Sequence, residues 1–434
     1  MHILPAINRF LWGGPLLLLL MGTHLYFTWH LHFPQRHLGK AIKWSVTPLE
    51  GADASQKVSP FAALATTLAA TLGTGNIIGV STAVALGGPG AVLWCWLTGI
   101  FGMATAYAEC YLGVLYKEKT SDGHFVGGPM YVLRNGLHSR LLAKFYALCT
   151  VVAAFGVGCT TQANSLTQTV KETFGLSPHL VGIAAAVVAG MVLIGGITSI
   201  SRACMRIVPV LGFVYIGSCL LLLCLHRQFL GETVALILTS ALSPTAVMGG
   251  AAGGSLSAAI RFGIARGLYT NEAGIGTSAI AAASSDVTSP ARQAAVSMTA
   301  VFWDTVVMCL LTGLVIIANA IAAPQTLEHV SETGWAGAAF MAVPGGEAFL
   351  TLALAAFAVT TLIGWSYFGE KSAEFLFGEK SIHLYKICYI VMIYVGAVIP
   401  MRVVWECTDL VNAIMVLPNV LALWALRKKT LPPQ

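Results

Sequence analysis

Apolar residues in this chain fall into continuous stretches of about 20 positions, and most charged residues lie in the short segments between them. Roughly 20 apolar residues span the hydrocarbon core of a bilayer. Such runs lie at 11–31, 60–86, 90–116, 145–170, 179–199, 207–226, 253–284, 293–321, 347–368, 383–400 and 404–425. They predict about 11 transmembrane helices. A transmembrane barrel would instead show alternating strands of about ten residues. The run from Leu11 to Leu31 has a thin basic flank, Arg9 alone, and closes on Trp29 and His30. A signal peptide would close on small residues at a cleavage site, so the run reads as a retained extra N-terminal helix.

Two runs differ from the others. The one at 60–86 is interrupted by Gly73-Thr74-Gly75-Asn76, and the one at 253–284 by Asn271-Glu272-Ala273-Gly274-Ile275-Gly276. Glycine is disfavoured inside helices and reaches backbone conformations closed to other residues. Unwound backbone at membrane depth persists only where it lines a cavity or is buried in protein. Leaving the first helix aside, the interrupted runs are the first and sixth of ten. Each opens a set of five, and two five-span halves must sit upside down relative to each other. The halves are expected at 57–226 and 253–425, within a single transmembrane domain spanning 1–434. Paired interrupted segments in inverted halves point to a binding site at the bilayer midplane. The competing reading, glycines that only let helices pack closely, explains one such run more easily than two at matching positions.

Composition agrees with the pattern. Of 434 residues, 56% are hydrophobic and 10% charged, with a mean hydropathy of +0.78, where a soluble domain carries about 25% charged residues. The net charge of +6 is dispersed between the runs, which argues against nucleic-acid partners. If the amino terminus lies outside, 18 of the 24 Lys and Arg residues face inward, including Lys57, Lys117, Arg134, Arg140, Lys144 and the Arg427-Lys428-Lys429 tail. That bias is the one the positive-inside rule predicts, with the carboxyl terminus cytoplasmic. The ten Cys lie mostly within spans without CxxC spacing, and the 11 His form no HExxH motif. No nucleophile elbow, P-loop or dinucleotide fingerprint is present. An enzyme is not expected, nor any cofactor.

The chemistry concentrates at the interruptions. A half-helix starting near Asn76 would point its positive dipole end and free N–H groups inward, which suits a carboxylate. Gly73 and Gly75 permit close approach, and Thr74 and Asn76 add polar groups. Carbonyls freed ahead of the break, at Ala69, Thr71 and Leu72, suit a small hard cation, best Na⁺ because few fixed charges accompany them. At the second break, the carbonyls of Gly274, Ile275 and Gly276 would accept from an ammonium group, and Thr277 and Ser278 either join them or bond their own helix. Buried carboxylates at depth are costly and usually functional. Glu272 either couples an ion or proton, or braces the helix by pairing with Arg266 or Arg261; Glu109, Asp304 and Asp409 either couple an ion or proton or make satisfied interhelical contacts. Gln162 and Asn164 lie mid-run. Thr360 and Thr361 supply a hydroxyl pair, and Trp365 either walls a small pocket or anchors an interface.

Several segments together resemble the alanine or glycine:cation symporter family, the sodium:alanine symporters. They are Thr71-Leu72-Gly73-Thr74-Gly75-Asn76-Ile77-Ile78-Gly79-Val80, Gly87-Gly88-Pro89-Gly90-Ala91 and Gly127-Gly128-Pro129-Met130-Tyr131. Others are Ala265-Arg266-Gly267-Leu268-Tyr269-Thr270-Asn271-Glu272-Ala273-Gly274, Asp304-Thr305, Gly364-Trp365-Ser366-Tyr367-Phe368-Gly369-Glu370 and Asp409-Leu410-Val411-Asn412. They cover nearly the whole chain in order. The resemblance implies a LeuT-type fold of inverted five-helix repeats in a prokaryotic inner membrane, and Na⁺-coupled, sometimes H⁺-coupled, uptake of alanine or glycine. A same-fold symporter for another small solute is the alternative; a channel or a receptor is more remote. Carried over, Thr74, Gly75 and Asn76 look like the substrate and ion segment, Gln162 a polar wall, Gly274 and Gly276 the opposing break, and Trp365 a pocket lid. The family's usual Ser-Thr is Thr360-Thr361 here, so a hydroxyl pair survives as Na⁺ ligands. After the second break, Gly276-Thr277-Ser278-Ala279 departs from the usual Gly-Ser-Ala and leaves substrate preference open.

Overall fold

A computed structural model describes residues 3–47, 58–121, 123–242, 256–328, 330–399 and 401–433. Lys57 and the expected first residues of both halves, 57 and 253, lie outside them. The helices are α1 (Ile3–Leu11), α2 (Pro15–His30), α3 (Leu38–Val46), α4 (Pro60–Thr71), α5 (Ile78–Gly87), α6 (Ala91–Leu115), α7 (Pro129–Tyr131), α8 (Arg140–Phe155), α9 (Thr161–Phe174) and α10 (Pro178–Ile194). They continue with α11 (Gly196–Leu225), α12 (Leu230–Leu242), α13 (Leu256–Asn271), α14 (Thr277–Ala283), α15 (Pro290–Val301), α16 (Leu310–Ala322), α17 (Trp335–Phe340), α18 (Gly346–Phe377), α19 (Ser381–Val398) and α20 (Met401–Ala425). Strands β1 (Glu118–Lys119) and β2 (Phe125–Val126) form a small antiparallel hairpin.

Among the described residues, seven helical segments are long and apolar enough to cross a membrane, and the bent pair α4–α5 makes an eighth. Two of the seven, 140–174 and 290–322, pass through wider π-type turns at Gly156–Thr160 and Phe302–Cys309. Among the described residues each apolar run falls mainly on helix, but some boundaries differ. Helix α10 stops at Ile194 and α11 starts at Gly196, where the pattern placed one run to 199 and the next from 207. Gly195 and Gly196, the latter at φ +66°, turn the chain there. The early residues of α11 are polar because Arg202 and Arg206 stay exposed on the helix surface. Helix α12 was not anticipated.

Local chemistry sets the helix starts. Ser59 accepts from the Ala62 N–H at 3.1 Å with Pro60 at the first helical position, and Ser139 and Ser289 cap α8 and α15 in the same way. Helix α6 runs against α2, α13 and α15, which brings the second broken segment to the centre of the protein. Gly263 and Gly267 make the α13–α6 approach possible. A methyl group at Gly267 would fall 1.9 Å from the Thr98 hydroxyl, so small residues four apart bring the two backbones together.

Candidate functional site

The first interruption is a short link. Helix α4 ends at Thr71, a single 3₁₀ turn covers Thr74–Asn76, and α5 leaves at 60° to α4. The Gly73 N–H donates to Asn76 Oδ1 at 3.0 Å and so no longer serves the Ala69 carbonyl, as a continuing helix would require. Asn76 Nδ2 donates to Asp304 Oδ1 at 2.6 Å and the Asp304 carbonyl at 3.2 Å, which fastens the turn to the π-type segment of the 290–322 span. Asp304 is fully buried and also accepts from Thr305 at 2.7 Å. The Thr74 hydroxyl donates to Gln162 Oε1 at 3.2 Å, and the Thr361 hydroxyl to the Leu72 carbonyl at 3.2 Å. Beside them the Thr71 hydroxyl is buried with no hydrogen-bond partner among the described residues. The oxygen atoms of Ala69, Thr71, Leu72 and Thr361 are the uncharged donor set a small hard cation takes.

The second interruption is a left-handed turn. Glu272 sits at φ +53°, Gly274 at φ +98° and Gly276 at φ +93°. Left-handed backbone is cheap only for glycine, so Glu272 must be held. Its carboxylate accepts from the Thr277 hydroxyl at 2.5 Å and from Trp365 Nε1 at 3.1 Å. Glu109 on α6 accepts from the Gly274 N–H at 2.8 Å and from Asn419 Nδ2 at 2.6 Å, while Asn419 also donates to the Gly274 carbonyl at 2.8 Å. Tyr146 donates to the Ile275 carbonyl at 2.8 Å.

Two helices tie the breaks together. On α18, Thr361 bonds the first break and Trp365, one turn later, bonds the second. On the paired span α8–α9, Gln162 meets Thr74, and Gly158, one turn earlier, lies against Trp365 so closely that a methyl there would fall 2.1 Å from Trp365 Cβ. One helical turn is about 6 Å of rise for four residues. The breaks therefore meet their neighbours at two levels about one turn apart.

The residues singled out from sequence divide accordingly. Gly73, Thr74, Gly75, Asn76, Gln162, Leu72, Thr361 and Asp304 gather at the first break, with Gly75 facing Thr270 of α13. Gly274, Gly276, Trp365, Glu272 and Glu109 gather at the second. The Thr360 hydroxyl is turned to the Phe357 carbonyl of its own helix at 2.8 Å. The carbonyls of Gly274 and Ile275 are engaged by Asn419 and Tyr146, and a methyl at Gly276 would meet Pro129 and Asn419 rather than the first break. Glu272 pairs with neither Arg261 nor Arg266. Both arginines line a separate cleft with Asp409, Trp12 and Tyr269. Asn164 donates to the Gly396 and Ile399 carbonyls and so serves the α19 contact. Sequence reading missed Asn419 and Tyr146. Asn419, an amide in an apolar run, was a signal available to it; Tyr146 offered none.

The chain matches the family described as "Sodium:alanine symporter family" over residues 1–432. It is 41% identical to an uncharacterised transporter of Haemophilus influenzae, over 98% of this chain and 93% of the relative. It is 39% identical to the sodium/alanine symporter AgcS of Methanococcus maripaludis, over 97% of this chain and 93% of that one. A probable sodium/glutamine symporter, GlnT of Bacillus subtilis, is 32% identical over 98% of this chain and 88% of its own. Among solved structures, a Na⁺-coupled sialic acid symporter shares the fold at 14% identity and a TM-score of 0.58, covering 94% of this chain and 86% of that one. A manganese transporter of Eremococcus coleocola follows at 15% identity and a TM-score of 0.54, over 87% and 79%. The chain therefore belongs to the sodium:alanine symporter family, whose members are multi-pass membrane transporters coupling solute movement to Na⁺, not enzymes.

Proposed function

We propose that this protein carries alanine, glycine or a similarly small neutral amino acid into a prokaryotic cell with Na⁺, by alternating access, and that the solute lies between the two helix breaks. The carrying observation is the offset along α18 and α8–α9. Thr361 and Gln162 serve the first break and Trp365 the second, about 6 Å further along α18, with Gly158 lying against the Trp365 side chain. That distance suits a small zwitterion. Gly73, Thr74, Gly75 and Gln162 are its polar contacts at the first break, with Asn76 and Asp304 holding the turn in shape. Trp365 closes the other side, against the turn of Gly274 and Gly276.

Na⁺ belongs with the oxygens of Ala69, Thr71, Leu72 and Thr361. An ion there pins the strand between α4 and the 3₁₀ turn and so completes the amino-acid contacts. Each solute then raises the affinity for the other by the same factor. Residues 57–226 and 253–425 form two inverted five-helix halves of the LeuT type, with α2 outside them, the amino terminus outside the cell and the carboxyl terminus in the cytoplasm. One observation favours a second reading, coupling to H⁺: Asp304 touches the first break, and Glu109 and Glu272 the second, all three buried.

Uptake of labelled L-alanine and labelled glycine into proteoliposomes separates the readings. Accumulation above equilibrium under an inward Na⁺ gradient supports Na⁺ symport. Accumulation only with K⁺ and an inward H⁺ gradient moves the coupling to the carboxylates. No accumulation of alanine or glycine under either gradient overturns the proposed substrate.

A further inference from the structure

Apart from the residues of both breaks, an open cavity of about 650 Å³ is lined by Arg134, Asn135, His138, Arg140, Lys144 and Phe375. Arg134 is placed by its surroundings: it pairs with Glu118 at 2.6 Å and lies over the Tyr131 and Phe375 rings at 4.8 and 5.0 Å. The nearby Lys371 and Glu374 satisfy each other at 2.6 Å. Arg140 and Lys144 have no such arrangement. Both are exposed, and among the described residues neither makes an ion pair. They sit four apart in the first turns of α8, where like charges repel. Among the described residues, Glu118 is the one carboxylate bonded to a lining residue, and it is spent on Arg134 and Asn135. The cavity is therefore short of negative charge.

Its flank is apolar. On α8, Leu141, Phe145 and Leu148 are 80%, 44% and 50% exposed, at spacings that stack them on one face. These residues begin a span long enough to cross the membrane, so this face meets lipid tails. Arg140 and Lys144 directly precede Leu141 and Phe145 in the chain. A cationic cavity and an apolar strip thus share one edge of one helix. Basic pockets beside membrane helices hold anionic headgroups.

We propose that this cavity binds the phosphate headgroup of an anionic phospholipid, held by Arg140 and Lys144 with His138 at the rim, while its acyl chains follow Leu141, Phe145 and Leu148. The strip distinguishes a lipid from a soluble phosphate compound, which would need the cavity alone. The leaflet, cytoplasmic, rests on the orientation proposed above; the binding does not.

The test is native mass spectrometry of the purified full chain titrated with phosphatidylglycerol, phosphatidylcholine or inorganic phosphate. Phosphatidylglycerol should be retained over phosphatidylcholine. The Arg140→Gln/Lys144→Gln pair should lower that retention roughly tenfold or more, since each basic residue near an anionic surface adds to attraction. Lys428→Gln/Lys429→Gln, two exposed tail residues outside the cavity, should leave it unchanged. Both pairs remove exposed charges, so equal melting temperatures confirm that the fold is intact. Equal retention of the two lipids, or equal loss in both variants, overturns the proposal. Displacement of phosphatidylglycerol by millimolar phosphate, with no effect of Leu141→Asn/Phe145→Asn, overturns the lipid in favour of a soluble phosphate compound.

Discussion

The two broken segments look alike in sequence, each a helix interrupted by glycines and an asparagine, yet they are built on different principles. At the first break no residue is left-handed, and Gly73 itself is extended. Its glycines are there for room: a methyl at Gly73 would lie 2.9 Å from the Thr361 hydroxyl, and one at Gly75 2.9 Å from the Thr270 methyl. At the second break three residues are left-handed, and glycine is required by conformation as well as space. The fastenings differ too. At the first break one carboxylate, Asp304, holds the Asn76 side chain and neutral groups meet the rest, whereas at the second Glu109 takes a backbone N–H and Glu272 lies in the turn itself. The first break is thus adjustable and leaves oxygens to offer, while the second is a rigid turn with its backbone groups already engaged. One fits a segment that responds to a ligand, the other a wall that the ligand is pressed against.

The sharpest way to break this contrast is at Glu109. Glu109→Ala takes the acceptor from the Gly274 N–H, at about 1–3 kcal/mol, and leaves the Asn419 amide with the Gly274 carbonyl alone. A large drop in melting temperature and loss of uptake are expected. Glu109→Gln keeps an accepting oxygen and should recover most of the stability; if the two variants melt alike, the clamp is not made by that oxygen.

Next comes glycine replacement. Gly276→Ala meets both a φ of +93° and Pro129 Cγ at 2.4 Å, and should cost about 2 kcal/mol or more. Gly73→Ala meets a single hydroxyl, so it should cost less and be rescued by adding Thr361→Ala. Rescue at the second break, or none at the first, would erase the distinction between space and conformation. Differential scanning fluorimetry in detergent reads all three.

Smaller, and confined to ion dependence, is the hydroxyl pair. Thr361→Val removes the group that reaches Leu72 and should raise the half-saturating Na⁺ concentration about tenfold, equivalent to about 1.4 kcal/mol. Thr360→Val removes a hydroxyl that bonds its own helix and should leave it unchanged. Equal effects would place the cation elsewhere.

The smallest effect concerns the far end of the second broken helix. There Lys117 donates to the Ser285 and Val287 carbonyls at 2.7 and 2.9 Å. Burial pushes its ammonium down to about 8, with Asp286 opposing. The unfolded chain then holds more protons than the folded one between about pH 8 and the ordinary lysine value of 10.5. Stability from this residue therefore rises with pH across that window. The melting difference between wild type and Lys117→Met should shift in favour of wild type as pH rises from 8 to 10; a constant difference would show that Lys117 does not titrate there.

Hydrophobic run length and glycine placement made the helices, the two breaks and the polar residues at them readable without coordinates. They could do so because a membrane penalises any unpaired backbone, so spans and their interruptions are written locally. The same reasoning went astray where a residue's role depends on which neighbour comes within reach. Glu272 had two nearby arginines in sequence, but its helix turns it to Thr277 and Trp365. Thr360 and Thr361 are adjacent and chemically identical, and only the direction of α18 sends one to Leu72 and the other to Phe357.

By itself the sequence determined an all-helical membrane protein, the positions of its two interruptions and the residue types that gather at them, because periodicity and hydropathy are properties of neighbouring positions. Tertiary structure alone decided that one break is a spacious link and the other a clamped left-handed turn, and that Asn419 and Tyr146, distant in the chain, complete the clamp. Those facts arise mostly from contacts between helices about ninety to three hundred residues apart, and no local pattern encodes which atoms will meet across such a distance.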